Sequence, residues 1–170
     1  KGAASAIKVA FKVKRPVFLW GPPGIGKSDV VTNIVENMDG VVYDLRLGQM
    51  DPTDFRGYPF FNKDLGLMDW APPIDLPTEE VAAQYPVVGL FLDEMNSAPP
   101  SVQAAAYQLI LNRRIGKYKL PDNVVIIAAG NRESDKGVTY RMPTPLANRF
   151  IHIEMRADFE AWMDWAVNNN

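Results

Sequence analysis

Short apolar runs alternate with segments of helical periodicity along most of the chain. The apolar runs are residues 17–20, 41–47, 87–92, 124–129 and 151–155. Runs of this length, rich in β-branched and aromatic residues, are typical of buried strands. Between them, residues 29–38 place Val30, Ile34 and Met38 one helical turn apart, and residues 100–113 carry a similar apolar face. The alternation predicts an α/β fold with a five-stranded, mostly parallel sheet flanked by helices.

Shorter patterns account for most of the remaining chain. Residues 3–13 predict a helix before the first strand, and residues 78–83 predict a short helix. Residues 132–145 are typical of a polar loop, and Asp158 is placed to cap a last helix over residues 159–166.

A small hairpin is predicted at residues 60–70, where Asn62, Lys63 and Asp64 form a turn signal between two apolar pieces. Phe60 and Trp70 belong to its apolar residues. Two interpretations remain open: the apolar residues contact a partner or a ring pore, or they pack on their own domain.

The stretch of residues 21–28 reads GPPGIGKS and matches the spacing G-x-x-x-x-G-K-[ST] at every fixed position. It lies between a predicted strand and a predicted helix, which is the context that a phosphate-binding loop requires. Glycines let the backbone close around a phosphate chain, and the helix N-terminus adds about half a positive charge. The predicted nucleotide-binding residues are Gly21, Pro22, Pro23, Gly24, Ile25, Gly26, Lys27, Ser28 and Asp29.

Two side chains of this loop have separate predicted tasks. Lys27 supplies a cation for the β- and γ-phosphates, and the Ser28 hydroxyl is a ligand for Mg²⁺. We expect Lys27 to be exposed in the loop and to support no core. The chain is therefore predicted to bind a nucleoside triphosphate together with Mg²⁺.

Polar residues follow two further predicted strands. Asp93 and Glu94 end the apolar run 87–92, at the edge of an open α/β sheet where ligands bind. Asp93 is predicted to hold Mg²⁺, and Glu94 to orient or deprotonate the attacking water. Asn131 follows the run 124–129 and is predicted to position water or to contact the γ-phosphate, although Gly-Asn also favours a plain turn.

A basic cluster follows the helix predicted for residues 100–113. It consists of Arg113, Arg114, Lys117 and Lys119. These charges either complement the helix dipole or contact a phosphate or a partner.

Composition narrows the class of protein. The chain has 170 residues, which predicts one domain over residues 1–170, and its net charge of −2 provides no overall basic field for nucleic acid. It has no cysteine, no apolar run of membrane-spanning length and no secretory pattern, so we expect a cytoplasmic protein with no membrane partner. The single histidine, His152, lies in an apolar run and is predicted to be a strand residue rather than a ligand.

Taken together, these motifs resemble the AAA+ ATPases, and specifically the MoxR-like branch. The resemblance covers nearly the whole chain and is carried by residues 21–28, by residues 91–100 with Val102 and Gln103 after them, and by residues 145–150. It implies that Lys27 and Ser28 are Walker A residues, that Asp93 and Glu94 are the Walker B pair, and that Asn131 is sensor 1. It also implies that Arg149 is an arginine finger offered to a neighbouring subunit.

The same resemblance carries expectations about architecture and partners. It implies the sheet order 5-1-4-3-2, a β-hairpin insert near residues 60–70, and ATP hydrolysis to ADP and phosphate. It further implies a homo-hexameric ring that remodels a protein partner, such as one with a von Willebrand A domain. The chain begins at Lys1 and ends just after a helical pattern, so we expect a fragment whose helical lid would follow residue 170.

Other functions for the phosphate loop stay open on the sequence. A GTPase would need Asn-Lys-x-Asp after an apolar strand, and Asn62-Lys63-Asp64 lacks the spacer. A small-molecule kinase would need a basic lid, for which Arg132, Lys136 and Arg141 are the candidates, although Asp93-Glu94 fits water activation better. A DNA-linked motor of the McrB type is disfavoured by the net charge, and a non-hydrolysing switch is disfavoured by Glu94.

Overall fold

A computed structural model describes residues 2–132 and 141–156 of the chain. The helix predicted for residues 159–166, together with Asp158 and Lys136, lies outside the described residues. The helices are α1 (Gly2–Lys12), α2 (Lys27–Glu36), α3 (Thr53–Arg56), α4 (Glu79–Ala82), α5 (Pro100–Asn112) and α6 (Thr144–Ala147). The strands are β1 (Val17–Trp20), β2 (Val41–Arg46), β3 (Tyr58–Asn62), β4 (Leu67–Ala71), β5 (Val88–Asp93), β6 (Arg114–Ile115), β7 (Tyr118–Lys119), β8 (Val124–Gly130) and β9 (Ile151–Glu154).

Five of these strands form one parallel sheet in the order β2-β5-β8-β1-β9. When only the strands of this sheet are numbered along the chain, the order is 5-1-4-3-2, so the expected topology is confirmed. All five predicted apolar runs form strands of this sheet, each within one or two residues of its predicted ends.

The sheet is covered on both faces, and the alternation of side chains along its strands explains how. In β1, Phe18 packs into a core with α5, whereas Val17 and Leu19 face a second core with α1 and α2. All seven residues of the central strand β8 are buried. A parallel strand buried on both faces has an apolar sequence without alternation, as this one does.

The predicted helix after the phosphate loop begins earlier than expected and buries a different stripe. It starts at Lys27 rather than Asp29, and its buried apolar residues are Val31, Ile34 and Val35. The predicted stripe of Val30, Ile34 and Met38 is therefore only partly correct, because the helix is rotated so that Val31 and Val35 face the sheet. Within the predicted polar loop 132–145, the structure begins the short helix α6 at Thr144.

Two hairpins project from the connections of the sheet. Strands β3 and β4 form the predicted antiparallel hairpin, and its large apolar side chains are exposed rather than packed on the domain: Phe61 is 59% exposed and Leu67 is 64% exposed. The hairpin of β6 and β7 was not predicted, because each strand has only two residues and carries a basic side chain.

The basic cluster of residues 113–119 does not act as one unit. Arg113 ends α5 in a left-handed conformation, and its guanidinium donates hydrogen bonds to the carbonyl oxygens of Pro121 (2.8 Å) and Val124 (2.9 Å). Partial burial lowers the pKa of Arg113. Lys117 instead forms an ion pair with Asp69 of β4. The structure therefore assigns Arg113 a structural role.

Among the described residues, no helix has both the length and the apolar character needed to cross a membrane.

Candidate nucleotide-binding site

The glycine loop connects β1 to α2 at the carboxyl edge of the parallel sheet. Gly26 immediately precedes α2 with a φ of 81°, a left-handed conformation that glycine adopts without the steric cost of a side chain. At Gly21, a Cβ would lie 2.5 Å from the Ile25 Cδ1 atom and 2.9 Å from the Met155 carbonyl oxygen. Glycine is needed at both positions to keep the loop compact, and α2 turns its N-terminus toward the loop.

The Lys27 side chain is buried, which contradicts the expectation that it would be exposed. Only 7% of the residue is accessible. Its Nζ donates to the carbonyl oxygens of Gly21 (2.7 Å) and Pro22 (2.9 Å), and to Oδ1 of Asn131 (3.4 Å). The long side chain folds back along its own loop because these acceptors satisfy the ammonium group. Lys27 therefore lies between the loop and the end of β8.

The backbone of Asn131 is held by hydrogen bonds to Asn96, a residue that the sequence analysis did not select. The Asn131 N–H donates to Oδ1 of Asn96 at 3.1 Å, and Nδ2 of Asn96 donates to the Asn131 carbonyl oxygen. Asn96 is 5% exposed and lies in a short 3₁₀ turn after β5. The pair leaves the Asn131 side chain directed at Lys27. The signal available in the sequence was an amide residue three positions after Asp93, the acidic end of β5.

Ser28 contacts a carboxylate that was not predicted. Its hydroxyl donates to Oδ2 of Asp44 at 3.1 Å, and Asp44 lies on the exposed side of β2. Asp44 interrupts an otherwise largely apolar run in the sequence, which is the signal that could have identified it.

Asp93 and Glu94 lie at the end of β5, as predicted, but their carboxylates are directed differently. Asp93 accepts a hydrogen bond from the Glu94 N–H at 2.8 Å. Glu94 has φ 56° and ψ 33°, a left-handed conformation that costs a non-glycine residue about 1–3 kcal/mol. Its carboxylate lies over Gly48, where a Cβ would be only 2.5 Å from Oε2 of Glu94. The left-handed backbone conformation thus turns the Glu94 side chain toward Gly48, out of the direction that a continuing strand would give it.

The oxygen ligands present fit Mg²⁺ of the phosphate-loop type. Such a site uses one or two carboxylates and a hydroxyl, and the substrate phosphates and water complete it. Ser28 with Asp44, and Asp93 at the neighbouring strand end, offer this chemistry. Over residues 2–132 and 141–156, no group of three or more acidic, histidine or cysteine residues is arranged to hold a metal ion.

Arg149 lies at the amino ends of the parallel strands, whereas the glycine loop lies at their carboxyl ends. Ile151, which begins β9, pairs with Val17 at the start of β1, whereas the loop follows Trp20 at its end. Arg149 is exposed and borders a small cavity of about 170 Å³ next to Lys14. The structure therefore brings Lys27, Ser28 and Asn131 together and leaves Arg149 apart from them.

Two further polar residues considered in the sequence analysis have partners close to them in the structure. His152 is a strand residue, as predicted: its Nδ1 accepts from Trp20 Nε1 at 2.9 Å, and its Nε2 lies 2.6 Å from the Ala147 carbonyl oxygen. Arg132, a candidate for a kinase lid, forms an ion pair with Glu154. Arg141 is exposed.

A five-stranded parallel sheet in this order, with a glycine loop between its first strand and a helix, defines a P-loop NTPase. The chain belongs to the ATPase family associated with various cellular activities (AAA), whose family model matches residues 17–156.

Two comparisons place the chain among larger proteins. It is 27% identical over 177 aligned positions to midasin from Giardia intestinalis, which covers 98% of the chain and 4% of midasin. Its fold matches that of a candidate ATPase from Cytophaga hutchinsonii with a TM-score of 0.68 and 20% identity, over 96% of this chain and 49% of that one. The second likeness supports the fold alone.

Proposed function

We propose that this chain binds MgATP in the glycine loop and hydrolyses it to ADP and phosphate. The observation that carries the proposal is the position of the Lys27 ammonium group, which lies between two loop carbonyls and Oδ1 of Asn131. A cation held where the loop meets the next strand end suits a phosphate chain lying in the loop. Bound phosphates would replace the loop carbonyls as partners of Lys27.

Each remaining site residue has a role in this proposal. The backbone of residues 21–26 and the N-terminus of α2 bind the phosphates, and Asp29 lies in the first turn of α2 beside them. Ser28 and Asp93 would hold Mg²⁺, which would neutralise charge on the phosphates. Glu94 accepts the proton of the attacking water, and Asn131 orients that water or the γ-phosphate.

The finer proposal is that the protein works as a homo-hexameric ring of the MoxR-like branch. The proposal is supported by the exposure of Arg149 at the end of the sheet opposite the glycine loop, where a neighbouring subunit would be able to contact it. In the ring, Arg149 completes the adjacent nucleotide site. ATP turnover then drives the remodelling of a protein partner, with a von Willebrand A domain as the expected type.

ATP turnover by a Glu94→Gln variant tests the proposed hydrolysis. We expect MgATP to remain bound and turnover to fall about 100-fold or more, the scale of losing a positioned base. Glu80→Gln, an exposed substitution on α4, is the matched control and should leave the rate unchanged. Normal turnover by Glu94→Gln would assign water activation to another residue.

A further inference from the structure

A cavity of about 420 Å³ lies between the two hairpins and shares no lining residue with the nucleotide site. We call it the hairpin cavity. Trp70 of β4 and the following Pro72 and Pro73 form part of its lining, and Lys117 and Tyr118 of the β6–β7 hairpin form another part.

Two polar contacts hold the walls of the hairpin cavity in place. The Lys117 ammonium group joins the hairpins through an ion pair of 2.5 Å with Asp69. The Tyr118 hydroxyl donates to the Pro77 carbonyl oxygen at 2.6 Å. Burial raises the pKa of Tyr118 above its ordinary value, which is itself well above neutral pH, so the hydroxyl is a donor there. The cavity is therefore bounded by side chains with defined partners.

The lining combines an apolar surface with an excess of positive charge. Trp70 is 42% exposed, a large aromatic surface for a residue of a folded domain. Arg56, Lys117 and Lys119 oppose a single acid, Glu79, which gives the lining a charge of 3 − 1 = +2 in a chain of net charge −2.

Two of these cations are available to a ligand. Within residues 2–132 and 141–156, neither Arg56 nor Lys119 has an ion-pair partner, whereas Lys117 is engaged by Asp69. An arginine and a lysine beside an indole and two prolines complement carboxylates that flank an apolar side chain.

We propose that the hairpin cavity binds an acidic peptide segment of a partner protein. An apolar residue of the segment packs against Trp70 and the prolines, and its flanking carboxylates pair with Arg56 and Lys119. A nucleic acid fits less well, because Trp70 and two prolines make part of the lining apolar and the chain's net charge of −2 provides no field for a phosphate backbone. The purpose of this binding, remodelling of the partner, rests on the proposed function. The binding itself does not, because it needs no ATP.

Fluorescence anisotropy with a defined peptide tests the proposal in the absence of nucleotide and with EDTA present. The probe is a short fluorescein-labelled peptide of glutamates around a central leucine–proline pair. Comparison probes carry lysine for glutamate, or glycine–serine for leucine–proline, and a labelled oligothymidylate represents nucleic acid. These conditions separate the outcome from the ATPase proposal, because failure of hydrolysis would not alter it.

Paired variants locate the binding. Trp70→Ala and the double variant Arg56→Gln/Lys119→Gln should each weaken the acidic peptide about tenfold or more. Their controls are Phe61→Ala and Lys63→Gln, which alter the same β3–β4 hairpin outside the cavity lining and should bind normally. Circular dichroism establishes that each variant is folded, and Trp70→Phe is the second choice if Trp70→Ala unfolds.

Three results would overturn the proposal. The first is that the acidic leucine–proline peptide shows no saturable binding, and the second is that the lysine peptide binds equally well. The third is that both cavity variants bind the acidic peptide with unchanged affinity. Saturable binding of oligothymidylate that the cavity variants abolish, without peptide binding, would assign the cavity to nucleic acid instead.

Discussion

The side-chain amide of Asn96 makes two hydrogen bonds, one with the backbone N–H and one with the backbone carbonyl of Asn131. The Asn131 N–H donates to Asn96 Oδ1 at 3.1 Å, and Asn96 Nδ2 donates to the Asn131 carbonyl oxygen. This pairing ties the turn after β5 to the end of β8. Because the Asn131 side chain accepts from Lys27 on its other side, Asn96 determines where Lys27 and Asn131 meet.

Asn96→Leu should therefore impair both stability and hydrolysis. The substitution leaves the partly buried N–H and carbonyl of Asn131 without their partners, which costs about 1–3 kcal/mol. We expect a lower urea midpoint and an ATP turnover reduced about tenfold, the scale reported for losing supporting contacts at a site. Asn33→Leu on the exposed face of α2 is the control. Wild-type turnover in a folded Asn96→Leu protein would contradict the positioning role.

The contact between Ser28 and Asp44 predicts that Asp44 affects how ATP turnover depends on the Mg²⁺ concentration. Asp44→Asn keeps an oxygen acceptor for the Ser28 hydroxyl but removes the negative charge beside it. We expect the Mg²⁺ concentration for half-maximal turnover to rise about tenfold, and to rise further in Asp93→Asn. Titrating turnover with Mg²⁺ at fixed ATP measures both. A shift with Asp93→Asn alone would limit the metal site to Ser28 and Asp93.

The features predictable from sequence are those that neighbouring residues determine. The glycine loop, β1 and the apolar strands follow from local spacing and apolar character, and the sheet order follows from the family resemblance. Asp44 and Asn96 are visible locally as polar residues in or after apolar runs, but their partners could not be found in this way, because these partners lie 16 and 35 positions away and depend on how strands pair. The burial of Lys27 was missed partly for the same reason: its two acceptors in the glycine loop are near in sequence, but the third, Asn131, is 104 positions distant.

The position of Arg149 predicts that it acts on a neighbouring subunit. Charge on the transferring phosphoryl group is stabilised by a second cation worth about 10³-fold or more in turnover. Arg149→Ala should therefore bind ATP normally and turn over poorly, and the specific activity of the unmodified protein should rise with concentration. Arg15→Ala, also exposed at the start of β1, is the control.

Mixing variants separates action in trans from action in cis. Arg149→Ala lacks the finger and Lys27→Ala lacks the nucleotide site, so a mixed ring contains junctions with both groups intact. Part of the activity should return on mixing. A mixture that stays inactive while mixed rings are detected by native mass spectrometry would refute the assignment, and Arg141 would become the candidate.

Binding of MgATP by the glycine loop is the central claim, and calorimetric titration of Lys27→Met tests it most directly. Methionine keeps the buried stem of the side chain and removes the ammonium group that contacts Gly21, Pro22 and Asn131. Lys12→Met, at the exposed end of α1, is the control. We predict saturable MgATP binding by the unmodified protein and by Lys12→Met, and an affinity at least about 100-fold weaker in a folded Lys27→Met protein. Equal affinities in all three proteins would contradict the account.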